Sequence, residues 1–464
     1  MKKAGAAPYP FSFARRGGRV LVTNEFGAAA SLSPGGFGAY AAGRPGRAAK
    51  ELEAGGFLSG RLDIEGLAAG LRENLLPGWR GPHVHIIEVT RRCNSACLYC
   101  GASASPGGPD LAPRAARAVL NFIFAIPAPS LMLEFQGGEP LLNFGAVREL
   151  VLGAEARAAA SGRKVNFSIV TNLSLMDEGK LRFLREHRVA VCTSLDGPAA
   201  LHGSSRRLAG GSGHAAAARW LKKISALAAG GRFEAPNAIC TVTRASLPHA
   251  AAVVDEFVRL GLLRVQLGPL EPLGRARAAW EKLAPSPAEF AAFYRAALGR
   301  ILELNRRGVP VYEKGALQFA KQYLNRRRPR YQNLDLAYRL SYAADGSVFG
   351  SDEARLLYNG GDPVFRLGSV FRDSFEGLLR KPAARALLAS DFPALAQPFC
   401  ARCAFSPWCR ISPAQHYAAQ GSFWGNLPAS PRCAAYKEIF AFLSGLCESP
   451  GTLRILRRWD RDYA

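Results

Sequence analysis

The chain has 464 residues, with 60 Lys plus Arg against 36 Asp plus Glu, a formal net charge of +24 and a hydrophobic fraction of 48%. That length has room for about three domains with ample core, and ten cysteines are too few for a small disulfide scaffold. They group by short spacings instead, which points to metal ligands in a reducing compartment. The first twenty residues lack an apolar core long enough for a signal peptide, and no run approaches the ~18 apolar residues of a membrane span. A soluble, cytoplasmic protein without membrane association is expected. The arginines are dispersed apart from Arg326 to Arg330, which argues against a nucleic-acid partner.

Residues 1–80 read as a small α+β unit. Arg19 to Asn24 is a strand that Phe26 to Leu32 pairs with, and Ala48 to Leu76 gives one or two short helices broken at Gly55 and Gly56. Such a unit is either a peptide-docking module or a structural cap. Residues 81–275 alternate strands with amphipathic helices. The strands are His83 to Val89, Ser130 to Gln136, Lys164 to Thr171, Val189 to Leu195, Ala238 to Thr243 and Arg264 to Leu267. The helices between them are Ala112 to Phe124, Gly145 to Ala160, Gly179 to His187, Gly213 to Gly230 and Leu247 to Leu260. Six β/α units in succession imply a parallel sheet with right-handed crossovers, and a partial (β/α)6 TIM-like barrel of the α/β class fits that count. Residues 276–333 form a helical connector with helices at Pro285 to Asn305 and Tyr312 to Leu324. Residues 334–464 are richer in turns and carry a second cysteine group.

Cys93, Cys97 and Cys100 follow the first strand directly, with three and then two residues between them. A loop at the carboxyl end of a strand is where α/β folds collect ligands. Three thiolates on a four-iron cluster leave one iron open. A zinc site is the alternative, and His83 and His85 are the nearby candidates for its missing ligand.

The loop resembles the cluster motif of the radical S-adenosylmethionine (SAM) superfamily, Cys-X3-Cys-X2-Cys with an aromatic residue before the last cysteine, and Tyr99 fills that place. The resemblance covers about Val84 to Pro272 and implies a SAM-binding 4Fe-4S cluster on Cys93, Cys97 and Cys100, within the same partial barrel. Gln136 to Pro140 (QGGEP) matches the family segment that holds the SAM amino group, which assigns Gly137, Gly138 and Glu139. The glycines let backbone approach a ligand closely, and the carboxylate accepts from an ammonium. Thr171 and Asn172, then Ser194 and Asp196 of SLDGP, match strand ends that line the SAM site; Ser168 also points toward it. Arg206 is the carboxylate partner of SAM, with Arg207 as the alternative, although the Asp that usually precedes this arginine is missing.

Cys400, Cys403, Cys409 and then Cys433 resemble the SPASM extension of peptide-modifying radical SAM enzymes, over about Leu334 to Tyr436. That family commonly holds two auxiliary iron-sulfur clusters. Here Pro413 and Ser351 stand where two ligands of the first are expected, while the four cysteines match the full ligand set of the second. One auxiliary 4Fe-4S cluster, fully thiolate-ligated, is expected; a structural zinc is the alternative. Asp352 matches a carboxylate that serves some relatives as a base, and it also reads as a solvated turn residue. Cys192, Cys240 and Cys447 read as core residues.

The resemblance implies reductive cleavage of SAM to methionine and a 5′-deoxyadenosyl radical, a peptide or protein substrate, and an electron donor such as flavodoxin or ferredoxin. RVLVTNEFG, LSYAADGSVFGSDEARLLYNGGD and the loss of one auxiliary cluster narrow it to the maturases of the His-Xaa-Ser peptide system. The alternatives are a sulfatase-type maturase oxidising a Cys or Ser side chain, and a basic RNA-modifying or RNA-binding iron-sulfur protein.

Overall fold

The computed structural model describes residues 7–59, 62–66, 68–69, 80–324, 335–391 and 397–462. The arginine run 326–330 and most of the second half of the helix expected over 48–76 lie outside the described residues.

In the first unit β1 (Ser12–Arg16), β2 (Arg19–Thr23) and β3 (Ala29–Leu32) form an antiparallel sheet in that order. The Asn24 carboxamide oxygen accepts from the amides of Phe26 and Ala28 and shapes the β2–β3 turn. Helix Ala49–Ala54 ends at Gly55, and Gly56 takes φ of +71°, so the break falls at the glycine pair. Strand β1 went unread because its alternating Ser-Phe-Ala-Arg-Arg is half exposed.

The barrel is built from β4 (Val84–Thr90), β6 (Ser130–Gly137), β7 (Lys164–Val170), β8 (Val189–Ser194), β10 (Asn237–Val242) and β12 (Leu267–Pro269), each parallel to the next. The partial parallel barrel expected from the sequence is thus observed. Its sixth strand is shorter than read: Arg264–Val265, β11, leaves the sheet and pairs with β13 (Tyr312–Glu313). The other edge is extended by β14 (Arg339–Tyr342), parallel to β4, then by β15 (Ser347–Phe349) and β16 (Gly368–Ser369), both antiparallel. Chain beyond residue 334 therefore completes the barrel sheet.

The strands show why the interior is polar. In β8 (VAVCTS) and β10 (NAICTV) every second residue is buried against the helices while the alternate ones are only partly covered. Those alternate positions place Glu134, Gln136, Ser168, Cys192, Ser194 and Thr241 on the inner face. Cys192 is therefore a lining residue and not a core one, a correction that follows from its phase in the strand. Cys240 and Cys447 are buried as read.

Candidate functional site

The three-cysteine loop is held from two sides. Its segment Ser95–Cys97, β5, pairs antiparallel with β9 (Arg206–Leu208), so that Cys97 lies opposite Arg206. On the other side the Gly138 amide donates to Thr90 O and the Glu139 amide to Arg92 O, each at 2.8 Å. The two glycines exist for this contact. Gly137 has φ of +145°, and a Cβ there would stand 1.9 Å from Thr90 O; on Gly138 it would stand 2.2 Å from Arg92 O. The close approach is thus to the backbone of the cysteine loop itself.

Glu139 is fully buried. One carboxylate oxygen accepts from Thr171 Oγ1 at 2.6 Å and the Leu141 amide at 3.0 Å, and the other from the Asn172 amide at 2.7 Å. Burial pushes its carboxyl up, against these hydrogen bonds. It ties the ends of β6 and β7 together, and the Asn172 side chain carries the tie onward to Asn94 Oδ1 at 3.0 Å and Ser95 Oγ at 3.1 Å in the cysteine loop.

Asp196, 2% exposed, is the second organiser. It accepts from the Tyr99 hydroxyl, from Arg206 Nε at 3.0 Å and from the Thr241 amide at 3.1 Å. The Arg206 guanidinium also lies 5.0 Å from the Tyr99 ring centroid. Burial opposes the charge on Arg206, but Asp196 and its other neighbours raise its pKa overall. Arg207 is exposed. Ser168 donates to Glu134 Oε2 at 3.2 Å, and Ser194 sits on the inner face at the end of β8.

The three thiols lie in one another's electrostatic field. Burial pushes Cys93 up to about 11, the Ser95 amide pulls it back, and Glu139, Cys97 and Cys100 push it further. Cys97 is raised by burial, lowered by Arg206 and raised by Cys100. Thiols gathered in this way fit a cluster whose iron holds them as thiolates. His85 stands near the start of β4, roughly 16 Å from the strand's end at Thr90 at about 3.3 Å per residue, and its Nδ1 meets the Tyr342 hydroxyl at 2.9 Å. Among the described residues no three His, Cys, Asp or Glu side chains stand at single-ion spacing.

The second group gathers likewise. Burial first, then Cys403 and Cys433, push Cys400 up to about 11, and Cys409 is raised by burial, Cys433, Cys403 and Cys400. Where the first auxiliary cluster was read as lost, Ser351 is fully buried and caps helix Asp352–Asn359, and Pro413 opens helix Pro413–Gln420. A charge network occupies that region. Arg410 Nη2 donates to Asp335 Oδ1 at 3.0 Å and to Asp391 Oδ1 at 2.9 Å, and Ser412 Oγ donates to Asp335 Oδ2 at 2.9 Å.

Asp352 accepts from Arg355 and from Ser341 Oγ at 3.4 Å. Arg355 is fully buried and donates through Nη1 to Glu88 Oε1 at 2.7 Å. Glu88, 1% exposed, also accepts from Asn359 and from the Ala344 amide. Sequence reading missed this pair. The signal was present, since a carboxylate inside the apolar strand VHIIEVT conflicts with its surroundings unless it is paired. Beside it lies an open cavity of about 410 Å³, lined by Glu88, Arg91, Asp345, Tyr358, Asn359 and their neighbours. No helix among the described residues is long and apolar enough to cross a membrane.

A partial parallel barrel that presents three cysteines in one loop at the carboxyl end of its first strand defines an α/β protein with a thiolate-ligated cofactor site. Residues 87–233 match the family model of the radical SAM superfamily, and the chain carries a radical SAM domain over that stretch. A serine-type anaerobic sulfatase-maturating enzyme of Klebsiella aerogenes is 30% identical over 222 residues, 45% of this chain and 53% of that protein. The match therefore spans about half the length of that curated relative. Among solved structures, "Native anSMEcpe with bound AdoMet" superposes with a TM-score of 0.66 at 19% identity, covering 81% of this chain and 100% of the other. Streptococcus suis SuiB bound to precursor peptide SuiA gives 0.55 at 12% identity, covering 92% and 98%. At these identities the structures establish a shared fold.

Proposed function

We propose that the protein is a radical SAM enzyme that modifies a ribosomally made peptide or protein. The observation that carries this reading is the convergence of Cys93, Cys97 and Cys100 in one loop braced by Glu139, Asp196 and Arg206. These thiols would hold a 4Fe-4S cluster that, together with SAM, would supply a 5′-deoxyadenosyl radical for hydrogen-atom abstraction. The residues of this chain do the rest. The Gly137-Gly138 backbone and the Asn172 side chain fix the loop, and Tyr99, Asp196 and Arg206 form a buried brace beside Cys97. To Glu139, Thr171, Asn172, Ser168, Ser194 and Arg206 this reading assigns the binding of SAM's amino and carboxylate groups. Cys400, Cys403, Cys409 and Cys433 hold one auxiliary cluster. Asp352, paired with the Arg355 that also bonds Glu88 on the wall of the 410 Å³ cavity, is the proton acceptor for the oxidised substrate. Electrons come from a flavodoxin or ferredoxin.

The substrate we assign is a His-Xaa-Ser peptide. The similarity to a sulfatase-maturating enzyme supports a second reading, oxidation of a Cys or Ser side chain. Anaerobically reconstituted protein should form 5′-deoxyadenosine and change the mass of one of two synthetic peptides, a His-Xaa-Ser repeat or a sulfatase-type segment. Turnover of the second alone would replace the first reading with the second. Radical formation that required RNA and ignored both peptides would sink the peptide class.

A further inference from the structure

The two faces of β2 are buried against different partners, and this fixes the place of the first unit in the molecule. Val20 and Val22 pack inside the unit with Ala30, Leu32, Tyr40 and Leu52. Leu21 turns the other way, into a cluster with Ala29, Ala404 and Phe405 that is flanked by Cys403 and Trp408. Thr23, 1% exposed, lies on that same outer face and donates through Oγ1 to Ala404 O at 3.0 Å, the carbonyl of the residue directly after Cys403. Arg19 Nε pairs with Glu448 Oε2 at 3.1 Å, and Arg16 pairs with Glu448 as well. Glu448 ends helix Pro431–Glu448, whose first turn carries Cys433. The sheet thus spans both supports of the second cysteine group, the irregular loop from Cys403 to Cys409 and the helix that presents Cys433.

We propose that this sheet face is the positioning wall of the second cysteine group, with Thr23 and Leu21 fixing the Ala404 peptide and through it the direction of the Cys403 thiol. The inference rests on the reading of Cys400, Cys403, Cys409 and Cys433 as a cluster site. Its physical basis is that the loop has no helix or strand to hold it, so a buried carbonyl beside a ligand depends on a donor from another part of the chain.

The test uses the full chain with Cys93, Cys97 and Cys100 replaced by Ala, so that only the second group can hold iron. Thr23→Val keeps the shape and removes the donor; Thr23→Ser keeps the donor. With the first substitution the electron paramagnetic resonance signal of the reduced cluster should change shape and iron loss to a chelator should quicken several-fold. With Thr23→Ser both should return to the parent values. An unchanged signal and loss rate in Thr23→Val overturn the inference. In metal-free chain, maleimide labelling of Cys403 should be several-fold faster in Thr23→Val, and equal rates overturn it whatever metal the site takes. Zinc, or no iron, in the parent background defeats the cluster reading alone, and the labelling rates still decide the role of Thr23.

Discussion

Arg355→Met tests how one guanidinium holds two carboxylates, Asp352 and the Glu88 that lines the cavity. Arg355 is fully buried, Glu88 is 1% exposed, and their ion pair measures 2.7 Å. The guanidinium also bonds Asp352, whose side chain is 20% exposed. Removing it strands one buried carboxylate and one partly buried one, and breaking a buried pair from one side costs about 3 to 5 kcal/mol. Glu88 keeps its bonds from Asn359 and Ala344 and borders an open cavity of about 410 Å³, so water reaches it and the lower figure, about 3 kcal/mol, is expected. Glu88→Gln with Arg355→Met removes both charges of the pair and should recover more than half of that loss. The assay is urea unfolding followed by tryptophan fluorescence on the single variants and the double variant. A double variant whose loss equals the sum of the two single losses would show that the pair carries no coupling, and the reasoning would fail.

Replacing Cys93, Cys97 and Cys100 with Ala should abolish 5′-deoxyadenosine formation and remove about half of roughly eight irons per chain; persistent formation, read by chromatography, would refute the site. Gly137→Ala places a Cβ 1.9 Å from Thr90 O, so the loop must move, and SAM-dependent cluster signals should be lost while the iron of the second group stays. His85 is fully buried and its pKa falls to about 3, through burial first and then the neighbouring His83. Because the unfolded chain binds this proton near the ordinary value of 6.5 and the folded chain does not, stability is present above pH 6.5 and lost as pH falls toward 3. At pH 5 the loss is about 2 kcal/mol, and His85→Leu should flatten that part of the urea-unfolding profile; an unchanged slope would assign it elsewhere.

Much of the architecture was legible because strand phase and helix phase differ. VHIIEV, SIVTN and SLDGP each read as strand, which located the cysteine loop at a strand's carboxyl end, while Glu139 and Asp196 were assigned by the resemblance of QGGEP and SLDGP to segments of the family. The partners of these residues were not legible. Nothing in QGGEP says that its glycines press on Thr90 and Arg92, since that contact joins segments more than 40 residues apart in the chain. Asp196 read as a lining residue, and its ties to Tyr99 and Arg206 depend on β9 folding back onto β5. That pairing involves three residues a side, too short to signal in sequence. Strand β14 was hidden for another reason. It joins the sheet beside β4, about 250 residues earlier, and long-range parallel pairing leaves no local trace.

Hydrogen bonds around Arg410 tie together the chain near Ser351 and Pro413. A cluster ties distant segments together through thiolates, and Ser351 and Pro413 cannot. In their neighbourhood Arg410, directly after Cys409, reaches both Asp335 and Asp391, and Ser412, directly before Pro413, reaches Asp335. The Leu336 amide also donates to Gly350 O at 2.8 Å, beside Ser351. Chain beside Ser351 and beside Pro413 is thus held by hydrogen bonds that meet at Asp335 and Arg410. One cation serves two buried acids, and Asp391 is raised well above the ordinary carboxylate value, by burial first and then by Asp335. Such a network fixes geometry but carries no electron. On the proposed reading, any redox role outside the SAM loop falls to Cys400, Cys403, Cys409 and Cys433, the group against which the N-terminal sheet packs.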